Sequence, residues 1–482
     1  MSSDIGLIGL AVMGENLVLN IESRGFSVSL YNRSTDKVDI FLNGRGLGKN
    51  FNGFHDIAEF CNSLSKPRKI MIMVKSGDPV DMIINQISPY LDDGDIIIDG
   101  GNSFYKDTHR RCQEVEGKGF LYVGAGVSGG EEGALVGPSI MPGGSEEAWE
   151  HLKPIFTKIA AKTSSNETCC EWIGSNGSGH FVKMVHNGIE YGDMQMISEI
   201  YHIMKQGLSL SNQEMHEIFK SWNASELDSY LIEITSKILG FKNNEGEYVL
   251  DLILDATGQK GTGKWTTIAA LDYGQPLTLI GEAVFARCLS SFKKERLKAA
   301  SILSGPKNKF IGEKKEFIKD LKNALYASKI VSYAQGFQLL RAASDQYKWK
   351  LDKGNIALLW RGGCIIRSVF LNKIKSAYDS NPELENLLLD SFFSDVLKET
   401  QESWRKVVCT AVDLGIPIPA ISSALSYYDG YRCEKLPANL LQAQRDFFGA
   451  HTYERIDRDR GEFFHSNWTG HGGETSSSNY EV

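Results

Sequence analysis

The feature that most constrains the fold of this chain is a change in the spacing of its apolar residues near residue 175. Before that point, short β-branched runs bounded by Gly, Asp or Asn alternate with stretches of helical spacing. This alternation predicts βαβ units and a parallel, doubly wound α/β sheet. The predicted strands are 5–10, 28–31, 70–74, 96–99, 121–123 and a later one near 139–141.

Beyond residue 177 the apolar residues follow a 3.6-residue period almost to residue 430, which predicts a large all-helical domain. Clear helical stretches are 180–206, 213–239 and 315–348. The predicted domains are a dinucleotide-binding domain over 1–176, an all-α substrate and dimerisation domain over 177–434, and a C-terminal tail over 435–482.

The tail combines aromatic residues with a lack of periodicity. Phe463, Phe464 and Trp468 lie in a Gly-rich segment, and such aromatic side chains favour docking on another surface, such as that of a second subunit. Residues 474–482 are predicted to be disordered.

Composition narrows the possible partners. The formal net charge of −8 argues against nucleic acid, which needs a basic footprint. No secretory signal is visible and no apolar run approaches the ~20 residues of a membrane span, so a cytoplasmic protein without a membrane partner is expected. The eight cysteines include no CxxC pair, which predicts reduced thiols and no metal site.

A glycine-rich turn joins the first predicted strand to the first helix. Gly9-x-Ala11-x-x-Gly14 follows that strand directly, with Val12 and Met13 inside the motif. Glycines here permit a tight turn and let a pyrophosphate approach the helix N–H groups. The motif is degenerate, since Ala11 replaces the middle glycine, but its place in the first βαβ unit predicts a Rossmann-like dinucleotide site.

The end of the second strand indicates which dinucleotide binds. An NAD enzyme usually carries Asp or Glu there for the ribose 2′-hydroxyl, whereas this chain has Asn32, Arg33 and Ser34. The presence of Arg33 and the absence of an acidic residue favour a 2′-phosphate and hence NADP. The alternative is a surface arginine in a turn.

Two further strand ends are expected at the same edge of the sheet. Val74 and Lys75 end the third strand, and Gly100, Gly101 and Asn102 follow the fourth. Because ligands of open α/β sheets bind at the carboxyl ends of strands, these residues are candidates for cofactor contact, and Asn102 also for substrate contact. An ordinary turn is the alternative for Gly-Gly-Asn.

Ser128, Gly129 and Gly130 follow the fifth predicted strand. Their backbone N–H groups and the Ser128 hydroxyl suit an anion such as a carboxylate. A flexible linker is the alternative, although a linker seldom follows a buried strand so directly.

The first long helix carries a polar stripe. Lys183, His186, Asn187 and Glu190 are spaced i, i+3, i+4 and i+7 and therefore share one narrow face. A lysine and a glutamate on a ligand-facing stripe form a plausible base and acid pair. The alternative is a solvated helix face.

A second glycine-rich stretch spans 255–265 and contains Lys260 and Thr262. Its Gly, Thr and Lys content resembles an anion cradle, but it lacks the Walker spacing and gives no reason to invoke ATP. Arg287, Arg445 and His451 are too scattered for spacing to assign a role.

Taken together, these motifs resemble the 6-phosphogluconate dehydrogenases over nearly the whole chain. The similar segments are Gly6–Gly14, Ile98–Ser103, Val127–Gly133, Lys183–Tyr191, Asp255–Trp265 and Gly461–Gly470. The first two are shared with other β-hydroxyacid dehydrogenases, whereas the last two are much more specific. Glu15 departs from the family, where Gln is frequent, and a carboxylate facing the pyrophosphate would weaken dinucleotide binding.

The resemblance implies oxidative decarboxylation of 6-phosphogluconate with NADP, with Lys183 as general base and Glu190 as the acid that protonates C1 of the enediol. It implies that the carboxylate and hydroxyls are held by Ser128, Gly129, Gly130, His186 and Asn187. The implied phosphate ligands are Tyr191, Lys260, Thr262 and Arg287, joined by Arg445 and His451 from the other subunit of a homodimer. The implied cofactor contacts are Ala11, Val12, Met13, Asn32, Arg33, Ser34, Val74, Lys75 and Asn102.

Two other functions compete with this one. The first is a β-hydroxyacid dehydrogenase for a small unphosphorylated acid such as 3-hydroxyisobutyrate, although such chains are much shorter. The second is a non-catalytic NADP-binding sensor, against which the complete set of Lys183, Asn187 and Glu190 argues.

Overall fold

The computed structural model describes residues 2–163, 165–472 and 476–477. The chain divides into two compact units, Met1–Ala424 and Leu425–Val482. The segment predicted to be disordered, 474–482, lies outside the described residues except for 476 and 477. Among the described residues, no helix has both the length and the apolar character needed to cross a membrane.

The first unit is built on an eight-stranded sheet in the order β3-β2-β1-β4-β5-β6-β7-β8. The strands are β1 Ile5–Ile8, β2 Val28–Tyr31, β3 Phe51–Phe54, β4 Lys69–Ile72, β5 Ile96–Asp99, β6 Leu121–Val127, β7 Ile140–Gly144 and β8 Gly174–Ser175. Strands β1 to β6 are parallel, and their crossover helices confirm the predicted doubly wound α/β fold.

Three details of the sheet differ from the sequence prediction. The edge strand β3 was not predicted, because its sequence Phe-Asn-Gly-Phe is partly exposed and interrupted by glycine. Strand β6 extends through Val127, where Gly124 and Gly126 had indicated a loop. Strand β7 runs antiparallel to β6, so the sheet is mixed at this end.

Seven helices accompany the strands: α1 Val12–Ser23, α2 Asp36–Asn43, α3 Ile57–Asn62, α4 Asp78–Ile87, α5 Tyr105–Glu116, α6 Gly130–Val136 and α7 Ala148–Ile159. Because side chains alternate across a strand, each face of the sheet has its own apolar core. Ile96 and Ile98 lie in one core, and Ile97 lies in the other.

The following segment is helical, as predicted. Its helices are α8 Ser178–His202, α9 Asn212–Trp222, α10 Tyr230–Gly240, α11 Val249–Leu252, α12 Thr262–Asp272, α13 Thr278–Ser291, α14 Lys293–Ile302, α15 Lys314–Tyr347, α16 Lys353–Leu359, α17 Leu371–Ser380, α18 Ser391–Leu414 and α19 Pro419–Tyr431. The stretch 213–239 contains two helices, because the chain turns after Trp222 and Ser229 caps α10 through the N–H of Ile232.

Helix α8 is central to the first unit, where it packs on β6, β7, α12, α13 and α15. It can approach the sheet closely because residue 179 is glycine: a Cβ there would lie 2.4 Å from the carbonyl oxygens of Gly124 and Met141. Near its other end, the buried carboxylate of Glu199 accepts the N–H groups of Ala420 and Ile421 at the start of α19. This single helix therefore connects the sheet with the far end of the helical layer.

The second unit contains α20 Ala438–Gly449 and a small hairpin of β9 Tyr453–Glu454 and β10 Phe463–Phe464. Asp446 on α20 is fully buried. Its carboxylate accepts hydrogen bonds from His465 Nδ1 at 2.9 Å, the Ser466 N–H at 3.0 Å and Trp468 Nε1 at 2.8 Å. The aromatic segment of the tail is thereby fastened to the helix that carries Arg445.

Candidate active site

Lys183 lies on the second turn of α8 and is 6% exposed. Strand β6 passes against it at Gly126, where an added Cβ would lie 2.4 Å from Lys183 Cβ. The glycine at this position therefore makes room for the lysine between helix and sheet, and the polar stripe is not a solvated helix face.

His186 lies close to the other three polar residues of the stripe. Its Nδ1 lies 3.4 Å from Lys183 Nζ, 3.0 Å from Asn187 Oδ1 and 3.9 Å from Glu190 Oε2. Its Nε2 lies 3.3 Å from Ser128 Oγ, which connects the helix to the end of β6. The amine and the carboxylate thus flank one ring nitrogen.

Burial shifts the pKa values of Lys183 and Glu190, the two ends of the stripe, in opposite directions. It lowers the pKa of the Lys183 amine, against the opposing charge of Glu190. It raises the pKa of Glu190, against the opposing charges of Lys183 and Arg287. Desolvation disfavours each charged form, which favours a neutral amine beside a protonated acid. Such a divergence is typical of an acid and base pair.

The loop after β6 forms one wall of this site. Ser128 is buried, and Gly129 adopts a φ of 110°, a left-handed conformation that glycine tolerates. A Cβ on Gly129 would lie 2.6 Å from the carbonyl oxygen of Gly363. Gly130 opens helix α6. The loop therefore follows a buried strand and is packed on both sides, unlike a flexible linker.

A second group of predicted residues includes Tyr191, which directly follows Glu190 on α8, and residues of two neighbouring helices. The Arg287 guanidinium stacks 3.6 Å from the centre of the Tyr191 ring. Gly263 is in contact with the same ring, since an added Cβ would lie 2.4 Å from it. This places Thr262, at the start of α12, near Tyr191. Lys260 is exposed, two residues before that helix.

The predicted dinucleotide turn is formed as expected at the start of α1. Gly9 has a φ of 112°, and a Cβ on Gly14 would lie 2.0 Å from the Gly9 carbonyl oxygen, so the turn requires both glycines. The N-cap residue Ala11 offers no side-chain cap, which leaves the first N–H groups of the helix for an anion. Val12 is exposed beside this turn and Met13 is partly exposed.

The neighbouring strand ends face the same turn. Asn32 Oδ1 accepts the Leu10 N–H at 2.9 Å, while Arg33 and Ser34 are exposed just beyond. Val74 lies close to Gly9, and its carbonyl oxygen lies 3.1 Å from the Cβ position of Gly101. Lys75 and Asn102 are exposed at the same strand ends. These groups suit a dinucleotide laid across the carboxyl edge of the sheet.

Glu15 does not face the turn unpaired. Its carboxylate forms an ion pair with Arg45 at 3.2 Å, and Arg45 also donates to Asn16 Oδ1 at 2.6 Å. The neighbouring arginine therefore offsets the negative charge of this carboxylate.

Arg445 and His451 belong to the second unit. Arg445 donates to Gln442 Oε1 at 3.1 Å on α20, and His451 Nδ1 lies 3.1 Å from Ser477 Oγ. Gln442 Nε2 in turn donates to the carbonyl oxygen of His451 at 2.9 Å, so the two predicted residues share one small network.

Sequence reasoning missed several residues that shape the site. The Trp360 ring stands edge-on to the His186 ring, with 5.7 Å between ring centres. Gly363 supports the loop at Gly129, and burial raises the pKa of the Cys364 thiol to about 12, which keeps it neutral near Lys183. The double glycine at 362–363 was the available sequence signal. Within the described ranges no cluster of three or more potential metal ligands occurs.

Comparison with known proteins agrees with this geometry. Residues 4–174 match the family described as the NAD binding domain of 6-phosphogluconate dehydrogenase, and residues 179–468 match its C-terminal domain. The chain is 59% identical to the proteins named "6-phosphogluconate dehydrogenase, decarboxylating" of Dictyostelium discoideum, with 99% of each chain covered, and of Homo sapiens, with 100% of this chain and 99% of the other covered. The Haemophilus influenzae protein of that name is 57% identical over the full length of both chains.

A solved structure of Plasmodium falciparum 6-phosphogluconate dehydrogenase, described in apo form and in complexes with NADP+ and with 6-phosphogluconate, is similar with a TM-score of 0.91. The identity is 47%, and the match covers 96% of this chain and 100% of the other. The fold and the polar stripe define a two-domain, dinucleotide-dependent dehydrogenase. The chain belongs to the 6-phosphogluconate dehydrogenase family.

Proposed function

We propose that the protein oxidises and decarboxylates 6-phosphogluconate with reduction of NADP, giving ribulose 5-phosphate and CO2. The observation that carries this proposal is the pair of Lys183 and Glu190, which flank His186 and have pKa values shifted in opposite directions. The whole-length identity to enzymes of this name supports it further. The match of residues 179–468 to the C-terminal domain of 6-phosphogluconate dehydrogenase favours this function over that of a shorter hydroxyacid dehydrogenase, and a sensor would not need the buried base.

Lys183 is the base of the first step. With its pKa lowered by burial, the neutral amine takes the proton of the C3 hydroxyl as C3 becomes a carbonyl carbon. NADP, when bound, accepts the hydride that leaves C3. Because the amine is buried, no bulk water competes for the proton. The lysine ends this step as an ammonium group beside the new carbonyl oxygen.

The second step breaks the bond between C1 and C2 of the 3-keto acid. The carboxylate leaves as CO2, and the bonding electrons move towards the C3 carbonyl, whose oxygen takes the proton of Lys183. No metal is required, because the β-keto group accepts the electrons. Glu190, protonated because burial raises its pKa, then delivers a proton to the former C2, which becomes C1 of ribulose 5-phosphate. Lys183 recovers the hydroxyl proton as the ketone forms.

The remaining polar groups hold the substrate at two ends. The carboxylate and hydroxyl end is bound by Asn102, Ser128, Gly129, Gly130, His186 and Asn187. The phosphate end is bound by Tyr191, Lys260, Thr262 and Arg287. The stacking of Arg287 on Tyr191 orients its guanidinium, which suits the planar, multiple hydrogen bonds that a phosphate accepts.

The cofactor lies along the carboxyl edge of the sheet. The turn formed by Gly9, Ala11, Val12, Met13 and Gly14, with the uncapped start of α1, would hold its pyrophosphate. Arg33, exposed beside Asn32 and Ser34, binds the 2′-phosphate. Val74, Lys75 and Asn102 contact the nicotinamide half.

The test of this function is an absorbance assay for reduced nicotinamide with evolved CO2 trapped, run with 6-phosphogluconate and either NADP or NAD. NADP reduction matched by equal CO2 is the expected result. Reduction without CO2 would instead indicate a simple hydroxyacid dehydrogenase. The Lys183→Met variant is the control: it should bind NADP normally and lose turnover, and substantial residual activity would exclude Lys183 as the base.

The protein is also a homodimer in this proposal. Several large apolar side chains of the first unit are exposed, which is unusual for a monomer. They are Leu252, Ile253, Leu254, Leu271, Phe285, Leu289, Phe292 and Leu297. Sedimentation should therefore show a dimer, and a monomer at assay concentrations would contradict this surface assignment.

Arg445 and His451 complete the phosphate site of the neighbouring subunit. Mixing two inactive variants, Lys183→Met and Arg445→Ala, tests this directly. In a hybrid dimer one site then receives both an intact Lys183 and an intact Arg445. Statistical mixing should restore about a quarter of the wild-type activity. No recovery after verified subunit exchange would place Arg445 in the site of its own chain.

A cytoplasmic location is part of the same proposal. All eight cysteines are free thiols, and five of them are buried, as expected for a protein kept in a reducing compartment. Fractionation of the source cells, with antibody detection of the protein, tests this location.

A further inference from the structure

The carboxyl end of β5 contains a buried carboxylate to which the proposed reaction assigns no role. Asp99 is 0% exposed. Its Oδ1 accepts the Gly101 N–H at 3.1 Å, and its Oδ2 accepts the hydroxyl groups of Ser103 at 2.6 Å and Tyr122 at 3.2 Å. Three donors therefore converge on this side chain, and two of them belong to the loop that carries Asn102.

Arg111 on α5 faces the same carboxylate. The arginine is 1% exposed, and its Nη1 lies 3.5 Å from Asp99 Oδ2. Among the described residues, Nη1 has no hydrogen-bond partner. The other side of the guanidinium is fixed by Asp81, which accepts from Nε at 2.9 Å and from Nη2 at 2.6 Å. Asp81 therefore fixes one side of the Arg111 guanidinium, and the N–H groups of Nη1 on the other side face Asp99.

This ion pair lies under a loop that has little structure of its own. Gly100 and Gly101 lack side chains, and glycine loses the most conformational freedom on ordering. The loop borders the predicted cofactor residues, since the Cβ position of Gly101 lies 3.1 Å from the Val74 carbonyl oxygen. A carboxylate that binds the loop at residues 101 and 103 fixes the intervening Asn102 from both sides.

We propose that Asp99 is a positioning residue which, held by Arg111, fixes Gly101 and Ser103 so that Asn102 is presented to the cofactor and the substrate. The proposal rests on the proposed function, because it takes the role of Asn102 from there. Tyr122 supports the same arrangement as a donor: burial, followed by the Asp99 charge, raises its pKa and keeps the hydroxyl protonated.

Asp99→Asn tests the proposal, because asparagine keeps the shape but removes the charge that Arg111 and the loop donors share. The variant should bind NADP about tenfold more weakly, the size expected for one lost charged hydrogen bond. The KM for NADP should rise and kcat should fall, because Asn102 is displaced. Ser103→Ala, a milder change in the same network, should weaken NADP binding in the same direction.

Asp81→Asn is the matched control. It weakens the hydrogen bonds on the side of the Arg111 guanidinium that does not face Asp99, so it should lower the thermal midpoint while the Kd for NADP stays within about twofold. An equal loss of NADP affinity in Asp81→Asn and Asp99→Asn would show a merely structural role and overturn the proposal. So would unchanged affinity in both Asp99→Asn and Ser103→Ala.

Asn102→Ala separates this proposal from the function on which it rests. If Asn102→Ala leaves NADP affinity and kcat unchanged, the assigned role of Asn102 is wrong. If Asn102→Ala weakens both while Asp99→Asn and Ser103→Ala do not, Asn102 acts without the carboxylate, and only the positioning role of Asp99 is wrong.

Discussion

Gly126→Ala is a small change that should act directly on Lys183, the proposed catalytic base. Gly126 lies in strand β6 without a positive φ, so alanine introduces no backbone strain. Its Cβ would lie 2.4 Å from Lys183 Cβ and 2.9 Å from Lys183 Cγ. Non-bonded carbon atoms prefer ~3.5–4.0 Å, so the lysine side chain or helix α8 must move by about 1 Å.

The expected loss follows from that displacement. A shift of about 1 Å in a reacting group costs on the order of 100-fold in rate, which corresponds to about 2.7 kcal/mol of transition-state stabilisation. The kcat for NADP reduction should fall by this factor, while NADP titrated by fluorescence should bind almost normally. Overpacking should also cost about 1–3 kcal/mol of stability, so thermal unfolding is measured in parallel.

Gly53→Ala is the control for that stability cost. An alanine Cβ in strand β3 would lie 2.5 Å from Leu42 Cδ1 and 2.6 Å from Val38 Cγ1, a similar overlap at the opposite edge of the sheet. Its kcat should stay close to wild type. The reasoning fails if Gly126→Ala retains kcat within about twofold, or if Gly53→Ala loses as much activity.

Three further predictions concern charge. Arg33→Ala should raise the KM for NADP far more than that for NAD, since it removes the proposed partner of the 2′-phosphate, and equal changes would refute the assignment. Glu190→Gln should lower kcat but leave NADP affinity unchanged, because only the protonation step is lost; normal turnover would require another acid. Burial raises the pKa of Glu199 from 4.5 to about 7, so the folded protein retains a proton that the unfolded chain releases. The contribution of Glu199 to the free energy of unfolding should therefore fall by about 3 kcal/mol from pH 4.5 to 7. Thermal unfolding of the wild type and of Glu199→Gln, compared across this range, should differ by that contribution.

Much of the sheet could be predicted because its strands are buried on both faces. Continuous runs such as 96–99 have no competing helical interpretation at that length. The strand Phe51–Phe54 gave no such signal, since it lies at the edge and is partly exposed. Glycines in Leu121–Val127 hid the second half of that strand, because their role is to make space for Lys183 and His180 from another element.

The candidate site also contains residues that could be predicted from the sequence and residues that could not. The polar stripe on α8 was predictable because its members are close in sequence and helical spacing brings them together. The network beneath the Asn102 loop was not predictable. Asp81, Asp99 and Arg111 meet only through the tertiary fold, and each alone is an ordinary charged residue in the sequence. The proposed phosphate ligands Arg287, Arg445 and His451 required the family resemblance for the same reason.

Helix α8 also limits how the chain can vary between species. One uninterrupted helix spaces Lys183, Glu190 and the Glu199 carboxylate at the start of α19, with each residue adding ~1.5 Å and about 100° of rotation. Inserting or deleting one residue between Lys183 and Glu199 would turn every later group away from its partner. Exposed loops away from the site can lengthen or shorten with little effect, whereas this helical segment should not tolerate a change of length.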